Sequence, residues 1–207
     1  PCHFDGGRLA AHAEMMRSVM RSLCAVLAMA AACAWGTAQA SDVVVDDRGQ
    51  AVVMAHAPQR IVSLLPSLTE TVCALNACDR LVGVDRFSNW PHAVTSQLTN
   101  VGGGMDPNIE AIVALKPDVV LLSHSGRVGQ RLEQLGIKTV ALEPKTQADV
   151  LRVTKVLAAL LHLPESKGAD ALWQRMQQGI QAAAASVPEQ VRGASVYFEV
   201  SRGPYVA

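Results

Sequence analysis

Four short stretches of this chain, Ile61–Leu65, Leu81–Val84, Val119–Leu122 and Thr139–Leu142, are apolar almost throughout, and that pattern restricts the fold more than any other feature. A strand with one solvated face alternates apolar and polar residues, whereas a nearly continuous apolar run implies burial on both faces. Such strands belong in a parallel sheet covered by helices. The stretches between them carry helix signals: Ser67-Leu68-Thr69-Glu70 reads as a capping box, Asp106-Pro107 as an N-cap followed by a first-position proline, and Gly136 as the stop of a helix over Val128–Leu135. The order is therefore β-α-β-α, and the fold class is α/β: a Rossmann-like parallel-sheet lobe with helices on both faces, over residues 58–145.

On either side the pattern changes. Val43-Val44-Val45, Asp46-Asp47-Arg48-Gly49 and Ala51-Val52-Val53-Met54 form an apolar–turn–apolar unit, predicting a hairpin within residues 41–57. After Pro144, Gln147–Leu163 and Glu165–Ser186 are two helical stretches broken at Pro164, within a helical segment over 146–190. The second is long enough to act as a spine of ~30 Å. Ser195–Val200 reads as one more strand. A lone strand after a long helix cannot bury itself, so residues 191–207 are expected to open a second, mostly missing α/β lobe.

The first forty residues read as processing signals. Residues 1–14 precede the first methionine and are expected to be an over-extended N-terminus. Over 15–40, Met15, Met16 or Met20 is followed by Arg17 and Arg21, an apolar run from Leu23 to Trp35, and Ala38-Gln39-Ala40 before Ser41. This is the layout of a cleavable secretory signal, and the run is shorter than the ~20 residues a spanning helix needs. The chain is thus expected in the periplasm, with lipoprotein anchoring at Cys33 as the lesser alternative. Of five cysteines only Cys73 and Cys78 remain beyond this leader. An even pair in an oxidising compartment points to a disulfide, reachable if the helix ends near Asn76; two buried free thiols are the other reading.

Charge excludes one class of partner. The chain holds 18 basic and 18 acidic side chains, and 15 and 16 remain after residue 40, so no basic footprint for nucleic acid exists.

Arg60-Ile61-Val62-Ser63-Leu64-Leu65-Pro66-Ser67-Leu68-Thr69-Glu70, Leu81-Val82-Gly83-Val84-Asp85 and the block from Asn108 through Ile109-Glu110 to Ala114-Leu115-Lys116-Pro117-Asp118 resemble the periplasmic cobalamin- and iron-chelate-binding family of ABC importers. Tyr197-Phe198-Glu199 through Gly203-Pro204-Tyr205 resembles the opening of that family's second lobe. The resemblance implies a monomeric protein of two lobes, a metal chelate held between them, delivery to an importer permease, no catalysis and no resident cofactor or metal. It leaves open cobalamin, haem and ferric siderophores as the ligand. In an open parallel sheet ligands sit beyond the carboxyl ends of the strands. That rule selects Pro66, Ser67, Phe87, Trp90, Ser123, His124 and Ser125, with Gly104 added from the run Gly102-Gly103-Gly104, which lets backbone approach the cleft closely, and Tyr205 from the second-lobe segment. By resemblance, Phe87 stands where the cobalamin-binding member has an aromatic residue on its ligand; Gly104 stands where that member has tryptophan. Phe87 fits a cover over the lobe's own core as well as it fits ligand contact, Trp90 fits that core role better than ligand contact, and His124 fits a surface histidine better than a metal ligand. Glu110 is the expected permease contact, from the family block and from its place on the outer side of a helix start, where the helix dipole also favours a carboxylate. A secreted α/β hydrolase is the competing class, but Ser123-His124-Ser125 lacks a nucleophile elbow.

Overall fold

The computed structural model describes residues 42–124, 127–164 and 168–197. Strands β1 (Asp42–Val45) and β2 (Ala51–Met54) form an antiparallel hairpin. The main sheet is parallel and five-stranded, from β3 (Ile61–Ser63), β4 (Leu81–Val84), β5 (Thr99–Asn100), β6 (Val119–Leu122) and β7 (Thr139–Ala141), in the spatial order β5-β4-β3-β6-β7. Helices α1 (Pro66–Ala74), α2 (His92–Thr95), α3 (Ile109–Ala114) and α4 (Val128–Gln134) connect successive strands, and α5 (Gln147–Leu160) and α6 (Ala169–Ser186) follow the sheet.

The apolar runs fill the sheet's two faces alternately. Ile61, Val119, Leu121 and Val140 pack with α1, the hairpin, α5 and the start of α6. Val62, Val120, Leu122 and Ala141 pack with α3 and α4. Val119 to Leu122 are all at most 1% exposed, which is the two-sided burial their composition predicts. Truncating Leu121 or Leu122 to alanine costs ~2–5 kcal/mol.

Two helix starts differ from the sequence reading. Helix α1 begins at Pro66 with Leu65 as its extended N-cap and no side-chain cap; Ser67 and Glu70 lie inside it and are exposed. β3 ends only three residues earlier, and a proline with preset φ starts the helix directly, so no capping box forms. The cap of α3 is Asn108, whose side chain accepts from the Ala111 amide at 2.8 Å, which frees Asp106 for another partner. A reciprocal capping box occurs instead at α5, between Thr146 and Asp149. Gly136 does end α4, in the left-handed conformation. Ser195, Val196 and Tyr197 are not a strand, and the rest of that expected element lies outside the described residues.

The hairpin is clasped to the sheet edge by a part-buried ionic network centred on the buried Asp46. Asp46 accepts from the amides of Arg48 (2.9 Å), Gln50 (3.0 Å) and Ala141 (3.1 Å) and from Arg48 Nε (2.8 Å). Arg48 also donates to Glu133 (2.8 Å) and to the Thr139 hydroxyl (2.8 Å). Burial opposes the charge on Asp46, but these hydrogen bonds outweigh it and hold the carboxyl below the usual carboxylate range. Beside it, Asp47 accepts from the Glu143 amide at 2.7 Å and from Arg152 at 2.5 Å.

Candidate ligand-binding rim

Strands β3 and β6 are neighbours whose connections leave in opposite directions, β3 toward β4 and β6 toward β7. The crevice at their carboxyl ends is where open α/β sheets bind ligands. Around it stand Leu64 to Ser67 after β3, Asp85 to Ser88 after β4, Gly102 to Gly104 after β5, Ser123 and His124 after β6, and Glu143 after β7.

The turn after β4 is built from its own polar residues. Asp85, 2% exposed, accepts from the Phe87 amide at 3.0 Å and from the Ser88 hydroxyl. The Ser88 and Thr69 hydroxyl oxygens lie 2.8 Å apart, and Thr69 lies 2.8 Å from the Ser63 hydroxyl. This chain of hydroxyls ties the turn to α1 and β3, satisfying polar groups that would be costly to bury alone. Its consequence is a rigid display: Phe87 is 64% exposed, and the Arg86 guanidinium lies over its ring at 5.7 Å from the centroid. Arg86 Nη2 pairs with Asp106 at 3.2 Å. The Arg86 amide donates to Gly102 O at 2.7 Å, which strings the turn to the glycine loop.

The three glycines of that loop have separate reasons. Gly102 has φ of 99°, a region L-residues avoid. At Gly103 a Cβ would overlap Asp106 Oδ1, and at Gly104 a Cβ would overlap the Leu64 carbonyl oxygen. Gly104 is therefore a close-approach residue that lays the loop against the end of β3, and it presents no wall to a ligand.

The remaining expected site residues separate. Pro66 is half-buried and Ser67 exposed at the first turn of α1. Trp90 is 63% exposed, so its core role is excluded. It stands with Pro91 at a mainly apolar groove of about 550 Å³ that runs along α1 past the Cys73–Cys78 disulfide to Val150, Val153, Leu172 and Met176. Ser123 donates to Glu143 at 2.5 Å, and His124 is exposed beside it. Glu110 is exposed in the first turn of α3. Ser125 and Tyr205 lie outside the described residues. Among the described residues no three His, Cys, Asp or Glu side chains cluster as a metal centre would require, and no helix is long and apolar enough to cross a membrane.

Asp85, Arg86, Asp106 and Glu143 were not selected from the sequence. Asp85 had a readable signal, an aspartate at a strand end followed by Ser88, the pattern of a side chain closing its own turn. Arg86, Asp106 and Glu143 had none, because their neighbours come from other strands.

The profile of the periplasmic binding protein family matches residues 61–207. The chain belongs to this family. Among curated relatives, the vitamin B12-binding protein of Photorhabdus laumondii is 33% identical over 64% of this chain and 50% of its own length. An uncharacterised ABC transporter substrate-binding lipoprotein of Bacillus subtilis is 28% identical over 78% of this chain and 53% of its own. The chain thus spans about half the length of the curated relatives it matches. Among solved structures, the periplasmic vitamin B12-binding protein of Vibrio cholerae aligns with 30% identity and a TM-score of 0.52, over 64% of this chain and 54% of that one. A periplasmic haem-binding protein of Pseudomonas aeruginosa aligns with 31% identity and a TM-score of 0.57, over 62% and 46%. They share the α/β architecture of this chain, whose rim lies at the carboxyl end of its parallel sheet.

Proposed function

We propose that this chain captures a flat metal chelate, cobalamin or haem, at the carboxyl-end rim and delivers it to an ABC importer permease without transforming it, with ferric siderophores as the less favoured ligand. The observation that supports this reading most is Phe87, held more than half exposed on a turn braced by Asp85, Ser88 and Thr69. Stability alone does not account for a rigid, exposed aromatic face; a flat apolar ligand body does. The names of the relatives, which bind vitamin B12 or haem, favour tetrapyrrole ligands. Titration with cyanocobalamin, haemin and a ferric hydroxamate tests it. The described rim residues contact one side of a ligand, so an affinity of roughly micromolar or weaker is expected, with Phe87→Ala weakening it several-fold. Absence of binding by every chelate would defeat the reading.

Export to the periplasm with cleavage before Ser41 belongs to the same proposal, as does a monomeric state; the intact mass and sedimentation of exported material test both. Glu110 is the proposed permease contact, because an exposed charge at an interface rim sets encounter and orientation. Glu110→Arg should weaken association with the reconstituted importer while leaving chelate titrations unchanged; undiminished association would leave Glu110 as a helix-start charge alone.

A further inference from the structure

The Arg86–Asp106 ion pair is poorly explained by stability. The two side chains are 50% and 76% exposed, a setting in which ion pairs contribute little. The geometry is also incomplete: Nη2 alone reaches the two carboxylate oxygens, at 3.2 and 3.3 Å, so the paired donors that make a guanidinium a good carboxylate receptor are not engaged as a fork. Yet the arginine is carefully placed. Its amide is fixed to Gly102, and its guanidinium lies over Phe87. Gly103 leaves space beneath, since a Cβ there would meet both Asp106 and Arg86 Nη2, the latter at 2.9 Å. A cation is thus held beside an exposed aromatic face, at a strand end bordering the sheet's binding crevice, with an exposed and displaceable carboxylate as its partner.

We propose that Arg86 reads a carboxylate on the ligand, exchanging Asp106 for it while the flat body of the chelate lies on Phe87. Asp106 is the resting partner, which keeps the guanidinium oriented and competes with ligands that carry no anion. The inference rests on the chelate-binding reading above and narrows it to chelates with peripheral carboxylates. The exchange replaces a weak single-nitrogen contact with a two-point one, so it discriminates acid from ester or amide at the ligand's edge.

The test is a Soret titration of the 207-residue chain with iron(III) protoporphyrin, which carries two carboxylates, and with its dimethyl ester, alongside a titration with cyanocobalamin. The acid should bind roughly tenfold more tightly than the ester, as a charge-assisted contact provides. Arg86→Gln should remove that preference by weakening the acid alone, and Arg86→Lys should retain part of it. Asp106→Asn should bind the acid several-fold more tightly, a gain that a merely structural pair would not give. Equal binding of acid and ester by the unaltered chain, equal loss of both in Arg86→Gln, or weaker acid binding in Asp106→Asn would each overturn the proposal. Binding of cyanocobalamin alone would overturn it while leaving the chelate-binding reading intact, and binding of none of the three would overturn both.

Discussion

Two arginine–carboxylate pairs lie at opposite extremes in this molecule. Arg48 sits in the clasp between hairpin and sheet, its side chain 18% exposed against a fully buried Asp46, and it reaches Asp46, Glu133 and Thr139 at once. Arg86 sits at the rim, half exposed, and reaches Asp106 through one nitrogen. The first pair is surrounded by groups that would be left uncompensated without it, so it holds the fold. The second can exchange its partner with water or a ligand at small cost, so it is free to act.

The comparison breaks most sharply at Arg48. Arg48→Ala leaves the buried Asp46 carboxylate without its side-chain partner and should cost about 3 kcal/mol in urea unfolding. A loss no larger than that of Arg86→Gln would erase the distinction between the two pairs. Gly104→Ala should come next, at about 2 kcal/mol, because the obstacle is the Leu64 carbonyl and backbone must move. Gly103→Ala should cost less than this, since the obstacles are the ends of flexible side chains.

Acid provides a third, smaller contrast. The folded-state pKa of Asp46 is depressed, so its contribution is present above the unfolded carboxylate pKa, near 4, and is lost as pH falls through the folded value. Stability followed from pH 7 down to 2 should therefore fall more steeply below about pH 4 in the unaltered chain than in an Asp46→Asn variant. Parallel curves would show that the clasp carboxylate is not the acid-sensitive group. Smallest of all, Arg86→Gln should shift unfolding by under about 0.5 kcal/mol. A loss above about 1 kcal/mol would make the rim pair a structural strut.

The legibility of these regions follows the same division. β4 and β6 begin and end where their apolar runs do, and the switch-point rule brings Phe87 and Ser123 to one end of the sheet from strand positions alone. The disulfide was also within reach, because Asn76 takes the left-handed turn that lets Cys78 fold back on Cys73. The helix starts were less so. Ser67 carries the residues of a capping box and Asp106-Pro107 the residues of an N-cap, but a short strand-to-helix turn pre-empted the first and Asn108 took the second. Local signals of this kind state what a residue can do, and neighbours determine which option is used.

What the sequence by itself determined is the α/β architecture, since two-sided apolar runs admit few other homes, and with it which loops share the carboxyl end of the sheet. It also determined the family, through blocks whose order and spacing match. Only the tertiary structure decided which polar groups meet. Asp46 and Ala141, Arg48 and Glu133, Ser123 and Glu143, Arg86 and Asp106 are each joined across 20 or more residues of chain. Hydrophobic burial is read from periodicity because it depends on one residue's face, whereas a hydrogen bond depends on two positions that only a completed fold brings within about 3 Å.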